Sequence, residues 1–247
     1  VPCRSDMISK GTIELIQQIL PYCNDNSRLL VMMALHNLLL VIETFPSTIF
    51  EIGVNVVTDV INQTFDDTTL QYAAVCFHLF TKENMRGIPR LAIRIVKSLP
   101  RLLLCSNAVS QYYAIITTSK MFFSELIADT SLLMVLAGKA VQAGYTVRDP
   151  ATIRALVGAF AQLTQEDKFI TELSKENLLM EMLNLNLSIV KSAKDDDRVL
   201  ESCCVCMSRI CLFVRDIAPD IRLEISHILF ELLDSDDTDV LKNSISS

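Results

Sequence analysis

The 247-residue sequence contains no tryptophan, only six glycines and only three histidines. Each shortage excludes a chemistry. The glycines form no Gly-x-Gly-x-x-Gly and no Walker-type loop, so no backbone cradle for phosphates is encoded. His36, His78 and His227 stand in no His-Glu-x-x-His frame and have no recognisable nucleophile partner. They read as helix-surface or capping residues. Long apolar runs are also missing. A spanning helix needs about 20 mostly apolar residues, and the best stretch, residues 29–42, is shorter and carries His36 and Asn37. Nor is there strand-like alternation between the apolar stretches.

Positive charge is in short supply too. The net charge is −7 and the isoelectric point about 5.0. Nucleic-acid binding draws on clustered Lys and Arg that displace counterions, and no such cluster is present. The one basic stripe, Arg86, Arg90, Arg94, Lys97 and Arg101, is interleaved with apolar residues. It reads as one solvated helix face.

What is abundant is apolar surface. Hydrophobic residues make up 51% of the chain, with a mean hydropathy of +0.37. Without a membrane span, that excess fits stacked helices with many buried faces, and further apolar surface for partners to cover. Eight cysteines are irregularly spaced inside apolar helical patterns. A disulfide framework belongs to short secreted chains with weak cores. A reducing compartment is the simpler reading, and no signal peptide is visible. Cys203, Cys204, Cys206 and Cys211 raise the question of a metal, but a single helix cannot wrap four of its own side chains around one ion. They are expected to be buried small hydrophobes, with Cys204 and at least one neighbour packed on an adjacent repeat. No catalytic, cofactor or metal residues are assigned. Asp195, Asp196 and Asp197 lie in a loop and at a cap, where weak desolvation makes shifted pKa values for acid–base work unlikely.

Helix-start signals recur at a fixed interval, the mark of a repeat architecture. Asp25, Asp66, Asn107, Asp149, Asp196 and Asp237 each precede a long apolar-periodic stretch, in steps of 41, 41, 42, 47 and 41 residues. Asp and Asn side chains accept hydrogen bonds from the orphan amides of a first helical turn. Asp149-Pro150 adds proline at the first helical position. The helix that follows is expected to run to about Thr164, with Ile153, Leu156, Val157, Phe160 and Leu163 on one face. Shorter helices precede each cap, for example residues 167–173 and 177–187. Gly11 and Gly53, 42 residues apart, fit a tight bend between two short helices. Pro89 and Pro100 are expected to punctuate the short helices of the second unit. The third unit departs most, with Asp129-Thr130-Ser131 where a glycine bend is expected, and residues 191–195 read as a solvated loop.

A unit of about 42 residues, with a short helix, a glycine, a second helix, an Asp cap and a long third helix, resembles the armadillo repeat. Residues 155–163, 169–173 and 178–183 are the most similar. The resemblance implies an all-α, right-handed α-solenoid of about five armadillo-type helix triplets. They form a single domain over residues 1–247, with units starting near 25, 66, 107, 149 and 196 and a fragment from 237. Val1 in first place and the helix-like opening at Asp237 lead to the expectation of a segment from a longer chain, with apolar faces at both ends for further repeats or partners.

The resemblance also implies a candidate site. Peptide-binding armadillo proteins line a concave face with an Asn on each third helix and a Trp one turn earlier. The Asn-equivalent positions here are Asn37, His78, Ser119, Gln162 and Arg209, with Arg154 one turn back in the fourth unit. The Trp-equivalent positions are Met33, Ala74, Ile115, Gly158 and Val205. Without Trp and with one Asn, the peptide ladder of import receptors is missing. The expectation is therefore a non-catalytic protein–protein scaffold in a cytoplasmic or cytoskeletal assembly, with a ciliary or axonemal one as a family-based guess. Its partners are other proteins, met through the groove and both ends, with no nucleic acid, no membrane insertion and no cofactor. The alternatives are a transport adaptor for peptide cargo and the substrate-recruiting region of a larger enzyme such as a ubiquitin ligase.

Overall fold

A computed structural model describes residues 2–40, 46–82, 88–193, 195–214 and 217–232. Among these residues every regular element is helical. Arg86 and residues 237–247, to which the sequence assigns part of a basic stripe and a helix start, lie outside them. The chain divides into two compact units, Val1–Lys139 and Ala140–Ser247.

The first unit contains α1 (Pro2–Ser9), α2 (Thr12–Ile19), α3 (Asp25–Leu39), α4 (Ser47–Gln63), α5 (Asp67–Lys82), α6 (Pro89–Leu103) and α7 (Ala108–Phe122). Helix α8 (Thr130–Gly144) contains the point of division. Two layers form. Helix α5 packs on α3 and α7 in one, and α4 packs on α2 and α6 in the other. The pairs α4–α5 and α6–α7 join the layers. The second unit contains α9 (Pro150–Gln165), α10 (Asp167–Lys175), α11 (Leu178–Ser192), α12 (Asp197–Phe213) and α13 (Pro219–Leu232). There α9 packs on α12, and α10 and α11 back onto that pair.

Local chemistry explains where the long helices start. The side chains of Asn24, Asp66, Asn107, Asp149 and Asp196 each accept from the amide three residues on. These caps stand 42, 41, 42 and 47 residues apart. Asp66 and Asp149 bind twice, to the amide and the hydroxyl of Thr69 and of Thr152, at 2.6–2.8 Å. Those bonds hold both carboxyls below the usual Asp pKa, the side-chain bond most.

Counted from these caps, the same rungs are buried in every long helix. Seven residues on stand Val31, Ala73, Ala114, Leu156 and Cys203. Eight on stand Met32, Ala74, Ile115, Val157 and Cys204. Eleven on stand Leu35, Phe77, Thr118, Phe160 and Met207, and fourteen on Leu38, Phe80, Met121, Leu163 and Ile210. Spacings of three and four turn these rungs to one side of the helix. The cysteine cluster is thereby explained as packing. Cys203 and Cys204 fill rungs that hold apolar or alanine side chains elsewhere, and Cys206 repeats the buried Cys76 ten residues past its cap.

Several expectations about the shorter helices need correction. The bend at Gly11 is present, with φ at +81°, between α1 and α2. Asn177, at φ +58°, makes the equivalent bend between α10 and α11. Gly53 makes no bend. It lies inside the 17-residue α4, buried where the ring of Phe80 leaves no room for a side chain. Pro100 does not end a helix either: it sits in the last turn of α6, which continues to Leu103. Proline there forfeits one amide bond, to the carbonyl of Val96, and the helix ends within a turn of it. The basic stripe on α6 is not merely solvated. Arg90 binds Glu51 at 2.6 Å, Arg94 binds Asn55, and Arg101 donates to the Thr64 carbonyl while its guanidinium lies 4.6 Å from the Phe65 ring centre. Residues 191–192 belong to α11 rather than to a loop.

Candidate functional site

The caps also define what each long helix leaves uncovered. Nine residues past them stand Met33, Val75, Ile116, Gly158 and Val205, and all five are half-buried. Sixteen past them, Leu40, Phe123 and Leu212 are exposed. On an α-helix these positions lie opposite the buried rungs. The sequence-based row mixes two registers: with α3 capped by Asn24, Met33, Gly158 and Val205 stand nine residues past their caps, but Ala74 and Ile115 only eight. One residue is a rotation of about 100°. Ala74 and Ile115, the expected partners of Met33, are core residues at 0% and 1% exposure. Val75 and Ile116 occupy the surface position instead.

The predicted polar residues divide in the same way. His78 and Ser119 stand twelve past their caps and are half-buried. Asn37, Gln162 and Arg209 stand thirteen past theirs. Asn37 and Gln162 are exposed, whereas Arg209 is half-buried. Arg209 donates to Asp167 at 2.8 Å and to the Thr164 carbonyl at 3.3 Å. Arg154 donates to Asp196 at 2.6 Å. Both arginines therefore fasten neighbouring long helices, at separations of 42 and 45 residues.

In the first unit the uncovered face is aromatic. His36 of α3 meets Tyr72 of α5 edge-on, 5.5 Å between centroids. One repeat later His78 of α5 meets Tyr113 of α7 at 5.2 Å, and Tyr112 packs perpendicular to Tyr113 at 5.3 Å. Val75 lies between Tyr72 and His78 on α5, so the rings flank the apolar row and join three helices into one surface. Three of the five tyrosines and two of the three histidines of the chain are here. Partial burial pushes the pKa of His36 down, which favours the neutral ring at neutral pH. The sequence reading missed these tyrosines. Counting from Asn24 would have exposed the alternation of His and Tyr at matching heights.

The second unit carries a cavity of about 650 Å³ between the loop before α9, the first turns of α9 and α12, and the end of α11. Ile153, Leu185, Ile189 and Val199 line its floor, and the Arg154–Asp196 pair and Arg148 stand at its edge. Among the described residues no three His, Cys, Asp or Glu side chains are grouped to hold a metal. None of the described helices is long and apolar enough to cross a membrane.

The stacked layers and cap-registered rungs define a helical-repeat protein. Comparison with solved structures identifies the repeat type. An engineered protein known from a crystal structure is 15% identical, with a TM-score of 0.64 over 95% of this chain and 96% of that one. A designed armadillo repeat protein is 13% identical, with a TM-score of 0.62 over 94% of this chain and 96% of that one. The fold is armadillo-type. No protein-family model and no curated protein matches the sequence.

Proposed function

We propose that this chain is a non-catalytic scaffold that binds other proteins on the uncovered face of its long helices. The observation that carries this reading is the half-buried apolar row nine residues past each cap, Met33, Val75, Ile116, Gly158 and Val205, beside polar positions Asn37, His78, Ser119 and Gln162. Within each unit, core-like residues held at one height on successive helices, yet left partly open, have the composition of an interface centre with a polar rim. Arg154 and Arg209 stand at the border of that surface and stiffen it through their ion pairs. Exposed apolar side chains on α2 and α13, among them Leu15, Leu223 and Phe230, offer secondary contacts. A reducing compartment suits thiols buried in helix cores, such as Cys76, Cys203 and Cys206. A cytoskeletal or ciliary assembly rests on the family resemblance alone.

The experiment is site-directed photo-crosslinking in cells. A benzophenone side chain at Val75, Ile116 or Val205 should capture discrete partner bands. The same group at Lys97 on α6 or Thr171 on α10 should capture fewer. Equal capture from both sets, or none from the first, would refute the assignment of the face.

A further inference from the structure

The cavity of the second unit lies apart from the apolar row: none of its lining residues stands nine past a cap. Its volume, about 650 Å³, is within the range of recognition clefts, about 300–1,000 Å³. Its floor is apolar. Leu185, Ile189 and Val199 are buried there, and Ile153 is half-buried.

Charge gathers at its mouth in a pattern set by the repeat. Arg148 and Asp195 each stand one residue before a cap, on successive repeats, and both line the cavity. In the first unit the residues at that place are engaged within the fold. The Arg101 guanidinium lies over Phe65, and Ser106 donates to Asp67 at 2.6 Å. In the second unit neither meets an opposite charge. Nη1 of Arg148 donates to the carbonyls of Tyr145 and Val147, at 3.1 and 2.7 Å. Two carbonyls aim a guanidinium but do not neutralise it, and no carboxylate among the described residues pairs with it. Asp195 makes no hydrogen bond and no ion pair among those residues. Arg154 and Asp196, the other charges on the rim, pair with each other at 2.6 Å. One cation and one anion therefore remain without a counter-charge, on the two loops that border an apolar floor.

We infer that this cavity seats one large apolar side chain of an extended partner segment that carries an acidic residue toward Arg148 and a basic one toward Asp195. The spacing suits such a segment. Helices α9 and α12 pack side by side, and packed helices lie about 8–10 Å apart. An extended chain turns the same face every second residue, about 7 Å along. Charges two residues to either side of the apolar one thus stand about 13 Å apart, which covers the helix spacing and the reach of the two side chains. The buried apolar anchor supplies affinity, and the two charges set which partners are accepted. This site adds to the scaffold reading and lies on a different surface.

The test uses the 247-residue chain and fluorescein-labelled nine-residue peptides of glycine and serine with a central leucine. Two residues to either side of the leucine they carry glutamate and lysine in both orders, two glutamates, or two lysines. Fluorescence anisotropy should show a mixed-charge peptide binding about tenfold tighter than either like-charged one. Replacing the central leucine by serine should remove that binding. Arg148→Glu should shift the preference to the two-lysine peptide, and Asp195→Lys to the two-glutamate peptide, by about tenfold each. Both residues are exposed, and circular dichroism checks that the variants fold. Lys168→Glu on α10, which does not line the cavity, should change none of these preferences. Preferences that neither charge swap alters, or that Lys168→Glu alters instead, overturn the placement. Equal binding of all the peptides overturns the charge pattern, and binding of none overturns the inference. Each of these results leaves the scaffold reading standing, because the crosslinks at Val75, Ile116 and Val205 decide that on another surface.

Discussion

Replacing Gly53 by alanine should destabilise this protein, although the usual expectation for a glycine inside a helix is the reverse. In a helix interior, Gly→Ala stabilises by about 1 kcal/mol through backbone entropy. At Gly53 an added Cβ would lie 2.2 Å from Cζ of Phe80 and about 3 Å from both of its Cε atoms. Ordinary carbon contacts are about 3.5–4.0 Å. Phe80 cannot simply swing away: it is fully buried and meets Phe50 edge-on at 5.4 Å. Its rung holds Leu38, Met121, Leu163 and Ile210 in the other repeats, so Gly53 compensates for a ring where smaller side chains are used elsewhere. Overpacking of this kind costs about 1–3 kcal/mol. A 2.2 Å contact with a fully buried ring falls in the upper part of that range, about 2–3 kcal/mol; set against the helical gain of about 1 kcal/mol, the net loss should be about 1–2 kcal/mol, or a fall in Tm of about 2–8 °C for a chain of this size. Gly158 provides the internal control. It lies in α9 with nothing within 4 Å of its added Cβ. Gly158→Ala should therefore gain about 1 kcal/mol. Thermal and urea unfolding followed by circular dichroism would measure both, and Phe80→Leu should relieve much of the Gly53→Ala loss. If Gly53→Ala is as stable as the parent, or Phe80→Leu does not relieve it, the volume-compensation argument fails.

Asp149→Ala should cost about 1–2 kcal/mol by removing a cap that binds both the amide and the hydroxyl of Thr152, read as a lower urea midpoint. The carboxyls of Asp66 and Asp149 lie below their usual pKa in the folded protein. Their contribution is therefore complete above pH about 4 and lost as pH falls through the lowered values, and Asp149→Asn should flatten part of that acid dependence. Thiol titration of the native protein at pH 8 should leave Cys76, Cys203, Cys204 and Cys206 unreacted, since all four are buried and burial pushes the Cys206 thiol up to about 12. All eight cysteines should react in denaturant; fast native reaction of Cys204 would contradict its place in the core. Arg90→Ala should cost under about 1 kcal/mol, because its partner Glu51 is also solvent-exposed and such pairs are screened.

The period and the caps were legible in the sequence because both are local. An Asp or Asn that binds an amide three residues on leaves its mark whatever the tertiary context, and five caps fall within one residue of the sites read from sequence. The surface register was not legible at that precision. Choosing Asp25 over Asn24 moved the first helix by one residue, and mixed counting placed the buried Ala74 and Ile115 on the face. Gly53 and Pro100 misled for another reason. Their roles depend on Phe80 and on a helix end, neither of which short-range sequence shows. The Arg ladder of α6 was read as solvated because its partners lie 37 to 39 residues away, one repeat back.

Hydroxyl-radical footprinting of the chain, with and without a partner captured by crosslinking, tests the location of the binding face most directly. Met33, Tyr72, Tyr112 and Tyr113 are oxidisable reporters on that face. Tyr22 and Phe65, at 90% and 89% exposure, report from elsewhere in the same unit. Protection of the first four, with Tyr22 and Phe65 still oxidised at their free rate, is the predicted result. Protection of Tyr22 and Phe65 with the face unchanged would show that partners bind another surface.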